Sequence, residues 1–371
     1  MQRLYILLLR LLAPLAAVFF ALVVSGLVLK LSGNDPLHAF DLMWDFGTTD
    51  QSIASIVDRS VPLYLSGVAF AVAFKMGLFN IGVEGQYTIA VLMAAFVGAA
   101  VNLPPVLHVS LILVVAMLSG MVWGAIPGVL KVTRGVSEVI STIMLNAIAT
   151  FLVSYLLANH FLDRADETLN LQTKKIPESG WFPDLTKLGD NASINAIVLL
   201  AVAVGIGYYV LIWRTRFGYD LRASGLNPLA AQASGVAPRA MIVKGMMLSG
   251  AVAGLVGMPT LLGFSHNYGL DFGTGLGFAG ITVALLGRNN PIGIAVGALL
   301  LAFLDRSAQI LDLEDIAKEI VVIMEGVIVL SVVIAYELVQ RVIEKQQRRM
   351  IGEDVPPPAP TMVAEPAGAP A

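Results

Sequence analysis

The sequence predicts an all-α, polytopic membrane protein of about ten transmembrane helices with both termini in the cytoplasm. Three observations predict it. Of the 371 residues, 57% are hydrophobic and 13% charged, against about 45–50% and about 25% in a soluble domain. The apolar residues fall in runs that supply spans of ~20 residues, without the polar–apolar alternation of a membrane β-barrel. Most of the 23 basic residues, among them Lys75, Lys131, Arg134, Arg214, Arg216, Arg222 and Arg239, fall on one side of that layout, as the positive-inside rule requires. The formal net charge of −3 gives no reason to expect a nucleic-acid partner. With no cysteine, and with His38, His108, His160 and His266 standing alone, no metal site or thiol nucleophile is expected.

The spans follow in order. Residues 4–29 are apolar apart from Arg10; the run exceeds a signal-peptide core and no A-x-A site follows, so it reads as a retained first span. A polar stretch holding Asp35, Asp41, Asp45 and Asp50 comes next. Further spans are expected near 60–78, 86–101, 106–130, 138–161, 193–213, 240–262, 275–287, 291–304 and 318–339. The eighth, 275–287, is too short to cross as a straight helix. The outer loop 162–192 carries Trp181 between Pro177 and Pro183; a loop of this length suggests a docking surface or a cap. Residues 1–350 thus form the membrane domain, and the proline-rich tail 351–371 is expected to be disordered.

Glycines recur at helix-contact spacing: Gly120, Gly124 and Gly128, then Gly250 and Gly254, then Gly293 and Gly297. Small residues at this spacing let helix backbones approach closely in lipid. Gly275-x-Gly277-x-x-Gly280 matches a dinucleotide fingerprint only on paper, because it lies in a membrane segment with no strand before it. No Gly-Lys dipeptide occurs, so a phosphate-binding Walker loop is absent and any ATP must sit on another chain. In the cytoplasmic loop 214–238, Asn227 can cap, Pro228 suits the first helical position and Gly235 can terminate. They predict a short helix over 228–234 that turns Leu229, Ala230, Ala233 and Ser234 outward. That helix is either a topological anchor or a plug for a cytoplasmic partner.

Polar residues inside the spans are the other signal. Asn80, Glu84 and Gln86 lie in a run broken by Gly77, Gly82 and Gly85, while Glu138, Ser141, Thr142 and Asn146 share one helix face. Glu325 sits near the middle of the last span. Such groups face a cavity or hold helices together, and both readings stand for these seven plus Glu325.

The runs GLFNIGVEGQ (77–86), RGVSEVISTIMLN (134–146), FGYDLRASGLNPLAAQASGV (217–236) and GFAGITVALLGRNNPIGI (277–294) resemble bacterial ABC-importer permeases. The superfamily covers ribose, branched-chain amino acid and nucleoside permeases, and the resemblance is strongest to the nucleoside (guanosine or purine nucleoside) branch. It implies a non-enzymatic, multi-pass subunit of the bacterial inner membrane, embedded in lipid, with no catalytic residue and no cofactor of its own. The implied partners are a cytoplasmic ABC ATPase that binds ATP, a second permease subunit in a hetero- or homodimer, and a periplasmic or lipoprotein substrate-binding protein. It also implies that 226–236 is the coupling helix, with Asn227, Pro228, Ala230, Ala231 and Gly235 meeting the ATPase. A substrate pathway over Asn80, Glu84, Gln86, Glu138, Ser141, Thr142 and Asn146 suits a neutral, hydroxylated substrate. Glu325 departs from the family pattern. Alternatives are a sugar or branched-chain amino acid permease, or an ion-coupled secondary transporter using Glu84, Glu138 and Glu325.

Overall fold

The computed structural model describes residues 19–20, 22–163, 171–188, 192–270, 272–314, 316, 320–331, 334, 338 and 341. The start of the expected first span, most of 332–350 and the tail 351–371 lie outside the described residues. Helix α1 (Leu22–Leu31) is followed by α2 (Pro36–Gly47), whose N-cap Asp35 accepts from the Leu37 amide. Helix α3 (Asp50–Phe74) is capped by the Thr49 hydroxyl. The polar stretch is therefore largely helical, and the second span begins ten residues before the expected residue 60. The acidic residues do not interrupt helix here: Asp35 caps one and Asp50 opens another.

The chain continues through α4 (Val83–Ala100), α5 (Pro105–Arg134) and α6 (Glu138–Leu156), which widens into a π turn over Leu157–Phe161. Helix α7 (Val198–Arg214) and α8 (Arg216–Leu226) meet at 69°. The short α9 (Pro228–Ala233) leads into α10 (Pro238–Gly254). A helical turn, Met258–Thr260, and a π turn, Leu261–Ser265, extend α10. Helices α11 (Leu276–Leu286), α12 (Pro291–Leu313) and α13 (Ile320–Ser331) complete the described chain.

Among the described residues six helical segments are long and apolar enough to cross a membrane, and the bent α7–α8 pair gives a seventh. The shorter apolar helices α1, α11 and α13 fall where the first, eighth and tenth spans are expected. Residues 162–192, expected to be an outer loop forming a docking surface or a cap, run into a small hairpin at their end. Strand β1 (Asp184–Leu188) pairs antiparallel with β2 (Ala192–Asn195), in a register that sets Leu188 opposite Ala192. The expected span at 193 consequently begins only at Val198. Asn195 closes the strand: its side chain accepts from the Ile197 amide, while its own amide donates to Asp58 Oδ1 at 3.0 Å.

Helix α3 is the hub. From Val61 to Ala73 nearly every residue is buried, and Leu65, Val68, Ala69, Phe70 and Ala71 are fully enclosed. Around it α5 and α10 make the closest helix pair. A Cβ built on Gly120 would overlap the carbonyl of Gly250 and come within 2.9 Å of the Gly254 amide; one on Gly250 would lie 3.0 Å from the Gly120 carbonyl carbon. The two glycine stripes read from the sequence thus face each other, backbone against backbone. The third packs Gly293 on Gly287 across the α11–α12 turn.

Candidate functional site

Helix α3 spans about 37 Å at 1.5 Å per residue, and its two ends touch different features. Near its start Asp58 holds the hairpin through Asn195. Just past its finish, Met76 packs against Gly225 of α8, where a Cβ would lie 2.7 Å from the Met76 backbone. A site lies at each end.

At the hairpin end is a cavity of about 1150 Å³, walled by the first half of α3, strand β2, the π turn, the 273–276 loop, α12 and α13. Its polar lining is uneven. Arg59 Nη1 on α3 pairs with Asp305 Oδ2 on α12 at 2.6 Å, both half-exposed to the cavity. Arg59 Nε also donates to Ser55 Oγ at 3.2 Å. Glu325 enters from α13, and Phe264, 58% exposed, from the π turn.

None of the seven residues expected to form a pathway lines this cavity. Asn80, Gln86 and Ser249 are fully enclosed and bond to each other: Asn80 Nδ2 donates to Gln86 Oε1 and to Ser249 Oγ, and Gln86 Nε2 donates back to Asn80 Oδ1. Ser249 Oγ donates to the Ala69 carbonyl at 2.6 Å, joining α10 to α3. Asn146 accepts from the Gly85 amide and donates to the Ile81 carbonyl, so α6 satisfies the glycine-broken entry to α4. Ser141 and Thr142 donate to carbonyls of their own helix. Glu138 forms an ion pair with Lys131, tying the start of α6 to the end of α5. The physical reason is that a polar group in lipid is taken by whatever partner the protein offers, whether another side chain, a helix carbonyl or a broken stretch of backbone.

Glu84 alone reaches the cavity wall, and indirectly. Its Oε1 accepts from the Gly275 amide at 2.6 Å and its Oε2 from the Gly277 amide at 2.8 Å. The Tyr87 hydroxyl donates to the Gly273 carbonyl. Gly275 sits at φ +92°, a backbone that favours glycine. Glu84 thus caps α11 from α4, placing a carboxylate at the positive end of a partly buried helix.

Beside this wall, Trp181 of the 162–192 segment stacks on His266 with centroids 3.8 Å apart, and Lys175 Nζ lies 4.9 Å from the indole. Burial, and then Lys175, push His266 below its usual 6.5. A depressed folded pKa means stabilisation that is present above pH 6.5 and lost as pH falls. The Trp181 emission, isolated by subtracting a Trp181→Phe variant, is expected to change on acidification below pH 6.5; emission that stays constant until the chain itself unfolds in acid refutes this stack.

At the other end, Asn227 Oδ1 accepts from the Ala230 amide at 3.0 Å and Pro228 opens α9. Gly235 turns the chain out at φ +85°. Helix α9 ends at Ala233, one residue short of the expected 234. Leu229, Ala230, Ala233 and Ser234 are exposed, as are Asn227, Pro228 and Gly235. Ala231, expected at the same contact, is instead 4% exposed and seats the helix, since on so short a helix one face must pack inward. Helix α8, not expected from the sequence, presents Leu226 at 88% exposure beside it.

The residues that sequence reasoning misses are those of the cavity: Asp58, Arg59, Asp305 and Phe264. The signal is there, as ionisable pairs at 58–59 and 305–306 within apolar helices. The expected spans begin at 60 and end at 304, which sets both pairs just outside the membrane.

Residues 52–333 match the family described as branched-chain amino acid transport system / permease component. The chain belongs to this family. The permease is similar to the guanosine ABC transporter permease protein NupP of Bacillus subtilis, 36% identical over 88% of this chain and 94% of that one. It is similar also to the nucleoside ABC transporter permease protein NupB of Lactococcus lactis, 30% identical over 88% of this chain and 92% of that one. The glucose ABC transporter permease protein TsgB13 of Haloferax volcanii is 32% identical over 78% of each chain. No solved structure matches the chain. As a permease component this chain is a membrane subunit of a transport system, not an enzyme.

Proposed function

We propose that this permease imports nucleosides across a bacterial inner membrane, driven by a separate ATPase that docks on α9. The observation that carries the substrate is the near full-length similarity to permeases named for guanosine and nucleosides. A cavity at one end and an exposed, uncharged helix at the other support alternating access coupled to a partner. In this reading α9 is cytoplasmic, as the arginines around it favour. The short α1, α11 and α13 bring the spans to ten with both termini inside. A second permease subunit and a substrate-binding protein complete the importer. Asn80, Gln86, Glu138, Ser141, Thr142 and Asn146 hold helices in register, and the cavity carries the substrate.

Radiolabelled guanosine uptake by cells with and without the gene tests the substrate. Uptake is expected to require the gene and to be competed by other nucleosides, while glucose or leucine as the effective competitors would overturn the reading. For coupling, Ala230→Asp and Ala233→Arg are expected to abolish co-purification of the ATPase. They should cut uptake by about tenfold or more, a change of ~1.4 kcal/mol in docking. Uptake and assembly at native levels would refute docking on α9.

A further inference from the structure

The cavity holds groups that structural needs do not use up. Asp58 has the Asn195 amide and Asp305 has Arg59. Glu325 has neither a hydrogen-bond nor an ion-pair partner among the described residues, and its electrostatic neighbour is a second acidic side chain, Asp305. An ionisable side chain in an otherwise apolar helix is retained at a cost, and it faces a cavity or a ligand. Phe264, from the π turn, is exposed into the same space from a different wall. Three carboxyl groups against one guanidinium leave the lining acidic, which disfavours anionic ligands.

The geometry points to a nucleoside subsite in this cavity, in which Glu325 and the Arg59-held Asp305 accept hydrogen bonds from the sugar hydroxyls while Phe264 stacks on the base. A vicinal diol offers two donors, and Asp305, held by Arg59, together with the unpartnered Glu325 supplies acceptors for both. Stacking on an aromatic ring tolerates any base, so the base is held and the sugar is read. The acidic lining disfavours nucleoside phosphates. Of the cavity's size, about 1150 Å³, a nucleoside fills only part; water and the other walls take the rest. This inference rests on the nucleoside reading and goes beyond it by naming the groups that read each half of the substrate.

The test compares uptake of guanosine and 2′,3′-dideoxyguanosine by the complete importer, as a ratio, for native, Glu325→Ala, Glu325→Gln and Phe264→Ala chains. Using the ratio cancels discrimination by the substrate-binding protein, which is the same in every case. Glu325→Ala is expected to lower the native guanosine preference by about tenfold, as for loss of a hydrogen bond to a charged group. Glu325→Gln, which keeps an acceptor oxygen and the side-chain shape, is expected to retain an intermediate preference. Phe264→Ala should reduce uptake of both analogues alike and leave the ratio unchanged. Guanosine 5′-monophosphate should not compete. An unaltered ratio in both Glu325 variants, with measurable uptake, overturns the subsite. If Glu325→Ala fails to reach the membrane, the Glu325→Gln ratio decides. Native cells that import no nucleoside would defeat the underlying functional reading instead, a different result from an unaltered ratio.

Discussion

Gly250→Leu is expected to prevent the permease from accumulating as a folded membrane protein. The Cβ of any residue at this position runs into the Gly120 backbone, 3.0 Å from its carbonyl carbon and 3.1 Å from the Gly124 Cα. No flexible side chain stands there to swing away. Overpacking a core costs about 1–3 kcal/mol even where side chains can adjust, and a backbone clash between two spans exceeds that. The measurement is the yield and apparent Tm of the purified full chain in detergent. Gly207→Leu serves as the control, because nothing lies within 4 Å of the point its Cβ would occupy. A Gly250→Leu chain with native yield and Tm refutes the backbone contact.

The second large effect is expected from Glu84→Ala. Removing the carboxylate leaves the Gly275 and Gly277 amides at the start of α11 without their acceptor. A fully buried donor left without its acceptor costs about 1–3 kcal/mol, less at these part-buried amides, and the lost charge at the helix N-terminus adds about 0.3–1 kcal/mol. Uptake should fall with stability, since the 273–276 loop is part of the cavity wall. Glu84→Gln, retaining one acceptor oxygen, is expected to recover a substantial part of both. The comparison also separates capping from ion coupling: a coupling carboxylate is not replaced by an amide, and a capping one partly is. A Glu84→Gln chain as stable as native but devoid of uptake would favour coupling.

Much of the architecture is legible in the sequence because lipid imposes simple demands. Apolar runs locate α4, α5, α6 and α10 closely, and the spacing of Gly120, Gly124, Gly250 and Gly254 announces a close helix pair without naming its partners. The α9 helix is legible for a local reason: Asn227, Pro228 and Gly235 each act within a few residues of themselves. The polar residues stand out, but their partners do not. Asn80 bonds to Ser249, 169 positions away, and Glu84 to an amide 191 away; nothing in the local sequence specifies such distant pairs. The cavity escapes notice at its edges. Arg59 and Asp305 look like water-facing residues flanking a span, and only the fold sets α3 beside α12 so that the two charges meet. The β-hairpin is hidden because five- and four-residue strands in a mixed, charged stretch carry no clear periodicity.

The bare backbone contact between α5 and α10 has a mechanical consequence. Two rods joined without intervening side chains have no soft layer between them, so they shift as one lever. Helix α9 adjoins the start of α10, and the π turn at Leu261–Ser265 lies just beyond its far end. On the proposed docking at α9, a push there is not absorbed along the lever and is carried toward the π turn, where Phe264 stands in the cavity wall. Since the chain has no cysteine, spin-label pairs can be introduced against an empty background. Distances between α5 and α10 should stay constant through the ATP cycle, while those from α5 to the residues around Phe264 change.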